Sequence, residues 1–404
     1  MQGLLIERST SDPWHIRVAI AQSFEALAPL MPQDDVVSFL TFCLGENVMG
    51  DKYSEVRSAI LSAASKAVDL HGPTRLQDLI ALFEKHLLAG SKTSSASDHV
   101  KEAAVILLGR TARHLKAKDS RIPGAVSRLI EALKTPSEQV QMAVSECLAP
   151  LVPLIGDGLS VTVDNLFDQL LTAPKYGERR GAAYGIAGLI KGTGVAGVRE
   201  FNVLDRLGSA LEEKKRFEPR QGAMFAIETL TTTLGRTFEP YAIQLLPSLL
   251  TSLGDPVPDV REAADETAKV MMANLSGFGV KLILPSLLSG LDEKQWRTKK
   301  GSIELLGSMA YCAPKQLSLS LPTVIPRLTG VLTDSHAQVR SSANKSLKQF
   351  GDVINNPEIQ ALVPVLLKAL VDPAKAPNAL TALLKTTFAH YIDSPSLALV
   401  RVFM

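Results

Sequence analysis

Residues 240–276 read PYAIQLLPSLLTSLGDPVPDVREAADETAKVMMANLS, and this stretch contains the pattern that decides the fold. The sequence Gly254-Asp255-Pro256 predicts the end of a first helix, because Pro cannot continue the helical hydrogen bonds and Gly tolerates the turn. Asp259 is a candidate N-cap for a second helix. The stretch therefore predicts a pair of helices joined by a short turn. Apolar residues spaced by three and four positions define one face of the first helix: Ile243, Leu246, Leu250 and Leu253.

The same pattern recurs along the chain with a period of about forty residues. A pair of the Val-Arg type opens successive apolar helical segments, and the intervals between the second residues of these pairs are 44, 40, 39, 40, 41, 39 and 40. This period is typical of HEAT or armadillo units, each built from two helices. The sequence therefore predicts an all-α, HEAT-repeat (ARM-type) α-solenoid superhelix of about ten helix pairs. The pairs are Val56-Arg57, Val100-Lys101, Val140-Gln141, Arg179-Arg180, Pro219-Arg220, Val260-Arg261, Lys299-Lys300 and Val339-Arg340.

Prolines recur inside the predicted first helices, at Pro247, Pro285, Pro326 and Pro364. A single Pro in a helix interior would argue against that helix. Here the regular recurrence, at intervals of 38, 41 and 38 residues, instead predicts a bend that these first helices share.

Interruptions of the repeat are few. The polar sequence from Gly90 to Asp98 predicts a loop between the two helices of one repeat, and it accounts for the single long interval of 44. Asp157 to Asp164 and Gly192-Thr193-Gly194 are milder interruptions. Because no linker is long enough to separate domains, we expect one continuous array of repeats.

Composition sets limits on location and partners. The 43 basic and 41 acidic residues give a formal charge of +2, which does not by itself require a nucleic-acid partner. The three cysteines, Cys43, Cys147 and Cys312, form no CxxC pair, so we expect reduced thiols in the cytoplasm or nucleus. No signal peptide or membrane-spanning run is predicted, and a membrane partner is not expected.

Motifs for catalysis are not found in the sequence. Gly90-Ser91-Lys92-Thr93 has some letters of a phosphate-binding loop, but its spacing is wrong and helices flank it on both sides. None of the seven histidines lies in a metal-binding pattern, and no Ser or Cys lies in a nucleophile elbow. We therefore predict a non-enzymatic protein without a metal or other cofactor.

Basic residues at the turns are the candidate functional site. Stacked repeats would align Arg180, Arg220, Arg261, Lys300 and Arg340 on one edge. Such a row could form a positive ridge for ribosomal RNA or an acidic partner. Alternatively, it could satisfy turn carbonyls and neighbouring acids, which is the favoured interpretation for the row itself because a partly buried cation is usually paired. The candidate contact residues are Arg179, Arg180, Lys214, Lys215, Arg216, Arg220, Arg297, Lys299 and Lys300.

Several long stretches resemble a known family, the general control translational activator. These are KYGERRGAAYGIAGLIKGTG (175–194), RQGAMFAIETLTTTLGRTFEPY (220–241), VREAADETAKVMMANLSGFGVKLILPSLL (260–288), DPWHIRVAIAQSFEALAPL (12–30) and IDSPSLALV (392–400). That family is a very large HEAT-repeat protein of the amino-acid starvation response. The resemblance implies N-terminal HEAT repeats over residues 1–174 and a continuous segment over 175–404 that is similar to the HEAT region of translation elongation factor three.

The resemblance also implies a function: a cytoplasmic scaffold that binds the ribosome and an ATP-binding-cassette protein. In that family the scaffold helps an initiation-factor-two-alpha kinase to sense uncharged tRNA. The kinase-binding region of the family lies further toward the C-terminus, so no kinase-contacting residue is assigned here, and the elongation-factor-like segment is expected to be incomplete. The alternative is a generic HEAT adaptor, such as a transport receptor or a phosphatase scaffold.

Overall fold

The computed structural model describes residues 13–88 and 95–351, and these residues fold into α-helices and short 3₁₀ turns without a β-strand. They fall into two compact units, which we call unit 1 (up to Val203) and unit 2 (from Leu204). The all-α HEAT solenoid predicted from the period is confirmed.

The helices of unit 1 are α1 (Trp14–Leu27), α2 (Asp35–Cys43), α3 (Glu46–Met49), α4 (Ser54–His71), α5 (Leu76–Leu88), α6 (Ser95–Ala112), α7 (Ile122–Ala132), α8 (Glu138–Leu148), α9 (Val152–Ile155), α10 (Leu159–Thr172), α11 (Tyr176–Thr193) and α12 (Ala196–Glu200). Helix α13 (Val203–Leu211) begins at the boundary between the units. Unit 2 continues with α14 (Glu218–Leu234), α15 (Glu239–Ser252), α16 (Pro258–Asn274), α17 (Gly277–Ser289), α18 (Trp296–Cys312), α19 (Pro314–Gly330) and α20 (Ala337–Gly351).

Each unit has two layers of helices. In unit 1 the second helices of successive pairs pack side by side in the order α1, α4, α6, α8 and α11. In unit 2 the second helices α14, α16, α18 and α20 form one layer, and the first helices α15, α17 and α19 form the other. The apolar core lies between the two layers, as expected for a repeat array in which each helix pair buries its apolar face against its neighbours.

Helix α15 shows how the sequence pattern becomes structure. Leu246 and Leu250, at the predicted spacing, are buried together with the adjacent Leu245 and Leu249, so the helix buries a broad apolar face. Pro247 lies inside this helix, on its exposed side. The equivalent prolines Pro285 and Pro326 lie inside α17 and α19, whereas Pro364 is outside the described residues. A Pro on the solvent side leaves a carbonyl that water can satisfy, which explains why these helices continue past it.

Two local predictions need correction. Asp259 does not cap α16, because this helix begins at Pro258 and its N-cap residue is Val257, which makes no side-chain capping hydrogen bond. The predicted loop from Gly90 to Asp98 is shorter than expected, because α6 begins at Ser95; Gly90 to Ser94 are outside the described residues.

The interruption predicted from Asp157 to Asp164 is shifted toward the N-terminus. Helix α10 already begins at Leu159, and the chain direction changes at Gly156, whose φ of 57° is accessible to Gly at low cost. The Gly192 to Gly194 interruption is present, since α11 ends at Thr193 and Gly194 has a φ of 82°.

Glycines allow α11 and α8 to approach each other closely. A Cβ atom on Gly188 would lie 2.4 Å from the carbonyl oxygen of Ser145 in α8, and one on Gly181 would lie 2.0 Å from that of Leu133, the residue that follows α7. Neither position could hold a methyl group without movement of the backbone it meets. The glycine-rich sequence GERRGAAYGIAGLIKG (177–192) of α11 is therefore explained by its close packing against the neighbouring helix pair.

One stretch, Glu138–Thr172, is long and apolar enough to be a candidate membrane span by length and composition. In the structure this stretch is divided among α8, α9 and α10, with a change of direction at Gly156. Its buried residues, such as Val144 and Phe167, belong to the core of unit 1.

Candidate functional site

The fourth residue of most second helices reaches back to the turn that precedes the helix. In each case a guanidinium or carboxamide group donates to the carbonyl oxygen six residues earlier in the chain. A turn carbonyl that no backbone N–H satisfies is thereby hydrogen-bonded. The bonds are Arg57 to Asp51 (2.6 Å), Gln141 to Thr135 (2.8 Å), Arg179 to Ala173 (2.8 Å), Arg261 to Asp255 (2.7 Å) and Arg340 to Asp334 (2.7 Å).

An aspartate organises three of these turns. Asp255 accepts a hydrogen bond from the backbone N–H of Val257 at 2.8 Å, which closes the turn, and it also pairs with Arg220 at 2.7 Å. Asp51 and Asp334 repeat this arrangement with the cations Arg17 and Lys299. The pKa of Asp334 is lowered below its usual range. The hydrogen bond from the Lys299 side chain contributes most to this shift, and the hydrogen bond from the His336 backbone N–H contributes next.

This geometry fixes the register of the predicted basic row. Arg261 and Arg340 are fourth residues of their helices, as is Arg179, whereas Arg180 and Lys300 are fifth residues and Arg220 is a third residue. The predicted alignment of Arg180, Arg220 and Lys300 with Arg261 is therefore shifted by one position. Adjacent cations such as Arg179-Arg180 hide the difference in the sequence, because only the first residue of the helix tells which cation faces the turn.

Five of the nine candidate residues are engaged within the fold. Arg179 is 2% exposed and bonds turn carbonyls, and Arg220 is 8% exposed and pairs with Asp255. The other three also have partners: Arg180 pairs with Glu138, Lys299 with Asp334, and Lys300 with Glu304. Arg180 and Tyr184 both donate to Glu138, and this lowers the pKa of that carboxyl group.

The remaining four candidates are exposed to solvent. Lys214, Lys215 and Arg216 occupy the turn between α13 and α14, and Arg297 is the second residue of α18. The guanidinium of Arg297 lies 4.6 Å from the ring centroid of Trp296, which itself stacks on His336 at 3.9 Å.

Buried Arg220 holds the turn that presents the lysines. Its Nη1 donates to the carbonyl oxygens of Glu213 and Arg216, each at 2.7 Å. The side chain of Glu213 accepts from the backbone N–H of Lys215 at 2.8 Å, and this bond is the largest contribution that lowers the pKa of Glu213. The three exposed cations therefore project from a turn whose backbone is held by the buried Arg220 side chain. A turn that is already ordered loses less conformational entropy when a partner binds.

The described residues contain no cluster of His, Cys, Asp or Glu that could hold a metal ion. Cys43 and Cys147 are buried free thiols, and Cys312 is an exposed one. Burial raises the pKa of Cys147 to about 12 and that of Cys43 also well above its ordinary value, so neither thiol is activated as a nucleophile.

The Asp51, Asp255 and Asp334 turns, the two helical layers and the forty-residue period define the chain as a HEAT-repeat protein. Solved structures with this fold are similar over nearly the whole chain. Kap121p bound to Pho4p matches with a TM-score of 0.51 and 12% identity, covering 99% of this chain and 43% of that one. Kap121p bound to the C-terminus of the phosphatase Cdc14p matches with a TM-score of 0.51 and 13% identity, covering 94% and 41%. At these identities the likeness concerns the fold alone.

Sequence comparison identifies the family. Residues 1–113 match the HEAT repeats described as "Stalled ribosome sensor GCN1", and residues 179–347 match the "EF3 N-terminal HEAT repeat". The human Stalled ribosome sensor GCN1 is 45% identical over 399 residues, 98% of this chain, and the Saccharomyces cerevisiae eIF-2-alpha kinase activator GCN1 is 44% identical over 396 residues. Elongation factor 3 of Gonapodya prolifera is 32% identical over 240 residues. By sequence, the chain belongs to the GCN1 family, the general control translational activators, and it spans about 15% of the length of these GCN1 relatives.

The sequence did not single out all of the residues that build the turns. Arg17 and Asp51 were not picked out, because a lone Arg and a lone Asp 34 residues apart carry no local signal. The repeat period could have found them: Asp51 precedes Arg57 by six residues, as Asp255 precedes Arg261.

Proposed function

We propose that this chain is a non-enzymatic scaffold in translational control, acting in the cytoplasm as a segment of a GCN1-type protein. The identity of 45% to the human stalled ribosome sensor along 98% of the chain is the observation that carries this proposal. The similarity to elongation factor 3 and the name of the yeast relative, a kinase activator, support it. The scaffold would bind the ribosome and an ATP-binding-cassette protein, and in a longer protein it would act with an initiation-factor-two-alpha kinase.

Within this proposal, the ribosome contact is made by Lys214, Lys215, Arg216 and Arg297. These cations are exposed, and the first three project from a turn that Arg220 fixes. The buried guanidinium groups of Arg179 and Arg220 are already bonded to carbonyl oxygens and to Asp255, so they cannot reach a phosphate. Their role, together with that of Lys299, is to hold the turns in position, whereas Arg180 and Lys300 pair with Glu138 and Glu304. The proposed domain division, residues 1–174 and 175–404, places all nine candidates in the elongation-factor-like part.

The partners are tested by affinity purification of the tagged chain from a eukaryotic lysate, with mass spectrometry of the captured proteins. We expect ribosomal proteins together with an ATP-binding-cassette ATPase, and neither with a tagged HEAT array of unrelated sequence. Capture of phosphatase subunits or nuclear-import cargo without ribosomal proteins would contradict the proposal and favour the generic adaptor. Capture of none of these would also contradict it for these 404 residues.

A further inference from the structure

A groove opens on unit 1 between the first helices α7 and α10. It has a volume of about 330 Å³, at the lower end of the range for ligand-binding clefts. Val126 and Leu166 form its buried floor, and Ile130 and Ile155 are half-buried in its walls. Apolar side chains are thus accessible from solvent at a place where a regular array would have buried them.

The groove exists because the stacking of first helices is interrupted there. In unit 1, α2 packs on α5 and α5 packs on α7, but α9 lies against α7 where α10 would otherwise pack. The change of direction at Gly156 then separates α10 from α7, and Gly158 lies at the edge of the groove between them. The groove therefore results from the placement of the helices and not from one small side chain in its lining.

The groove has no ionisable residue in its lining. The closest cations along α7 are engaged elsewhere: Arg121 pairs with Asp119 at 2.7 Å, and Arg128 lies 3.7 Å from Glu84. A charged ligand would lose water in this groove without gaining an opposite charge, which is unfavourable. The lining therefore selects an uncharged ligand.

The rim offers hydrogen-bonding groups of a particular kind. Asn165 is exposed on α10, and its carboxamide has both a donor and an acceptor, which together match the C=O and N–H of a peptide group. Thr162 and Gln169 flank it one turn away on either side, and each retains an acceptor oxygen after donating within the fold, to Gly158 and Glu178. These groups follow the helix, so they would meet a linear ligand at more than one point.

We propose that the groove binds an extended, uncharged peptide segment of a partner protein. An aliphatic side chain of the segment would occupy the floor at Val126 and Leu166, and the carboxamide of Asn165 would bond a peptide group. Helix α7 has 11 residues and is about 16 Å long at 1.5 Å per residue, which matches about five extended residues at 3.3 Å each. The inference does not depend on ribosome binding.

The test uses phage-displayed random linear heptapeptides selected on the whole chain, followed by fluorescence anisotropy with the enriched peptides. We expect enrichment of peptides that lack charged residues and carry aliphatic residues at alternate positions. Thr162→Trp, which fills the groove, should weaken binding at least tenfold. Asn165→Ala, at an exposed position that the fold does not need, should weaken it by about three- to tenfold. Val161→Ala, at a 62% exposed neighbour outside the groove, should leave binding unchanged.

Several outcomes would overturn the inference. These are the absence of enriched peptides, enrichment of charged peptides, and binding that neither Thr162→Trp nor Asn165→Ala reduces. Concentration-dependent dimerisation that Thr162→Trp abolishes would identify a second copy of the chain as the occupant instead. Circular dichroism and thermal unfolding of both variants establish that they are folded.

Discussion

Arg220 combines two tasks in one buried side chain. It pairs with Asp255 of the next repeat, and it holds the carbonyl oxygens of the turn that carries Lys214, Lys215 and Arg216. The pair is desolvated, with side-chain exposures of 10% and 7%. A buried charge that loses its partner is strongly destabilising, whereas a surface pair contributes little.

We therefore expect Arg220→Ala to lower the free energy of unfolding by about 3–5 kcal/mol, since it leaves the Asp255 carboxylate buried without its cation. The matched control is Lys300→Ala, which removes an exposed pair with Glu304 and should cost less than about 0.5 kcal/mol. Urea unfolding followed by circular dichroism measures both values. Equal, small losses for the two variants would show that the Arg220 pair is not a structural element.

The cysteines provide a second comparison of buried and exposed side chains. Cys312 is exposed, whereas Cys43 and Cys147 are buried. Burial raises the pKa of all three thiols, so access of the reagent and not the thiol pKa separates Cys312 from the other two. At pH 8 we expect an aromatic disulfide reagent to modify one of the three thiols in the folded chain and all three after unfolding in guanidinium. Cys312→Ser should abolish the folded-state reaction. Rapid modification of two or three thiols without denaturant would contradict the packing around Cys43 and Cys147.

Among the helices and turns, the sequence predicted types of element better than their register. The forty-residue period and the recurring prolines predicted the helix pairs, because each repeat must bury the same apolar face. The period did not tell which of Arg179 and Arg180 faces the turn, or that α16 begins at Pro258 and not after Asp259. Those details depend on the residue at which each helix starts, which the repeat period does not specify. The groove between α7 and α10 was also not predicted, although Gly158 lies at its edge.

Close packing between α8 and α11 can be tested with one methyl group. Gly188→Ala would place a Cβ atom 2.4 Å from the carbonyl oxygen of Ser145 in α8, so the two helices must separate, and we expect a loss of about 1–3 kcal/mol in unfolding free energy. Gly124→Ala, in α7, is the control: beyond its chain neighbours and the backbone of its own helix, no atom lies within 4 Å of the added methyl group, so this change should stabilise by about 0.5–1 kcal/mol. A Gly188→Ala variant as stable as Gly124→Ala would mean that α8 and α11 are not in contact at this point.

At the scale of the whole molecule, the buried charged residues of the repeats and the exposed ones differ in role. Aspartates and arginines of the turns stabilise the array from within, and under the proposed function the exposed cations of unit 2 bind a partner. The GCN1 relatives are about seven times longer than this chain, so it would supply one contact among several in such a protein.

Binding of the chain to purified ribosomes by co-sedimentation, measured across a salt series, tests the proposed contact most directly. The variant Lys214→Glu, Lys215→Glu, Arg216→Glu should bind more weakly, and its salt dependence should be shallower by about two counterions, because about 0.7 counterion is released per phosphate contact to single-stranded RNA. The matched control reverses three exposed lysines away from this turn, Lys281, Lys345 and Lys348, and changes the net charge equally. It should sediment with ribosomes like the unmodified chain. Identical sedimentation of all three proteins at every salt concentration, or an equal loss in both variants, would contradict ribosome binding through the α13–α14 turn.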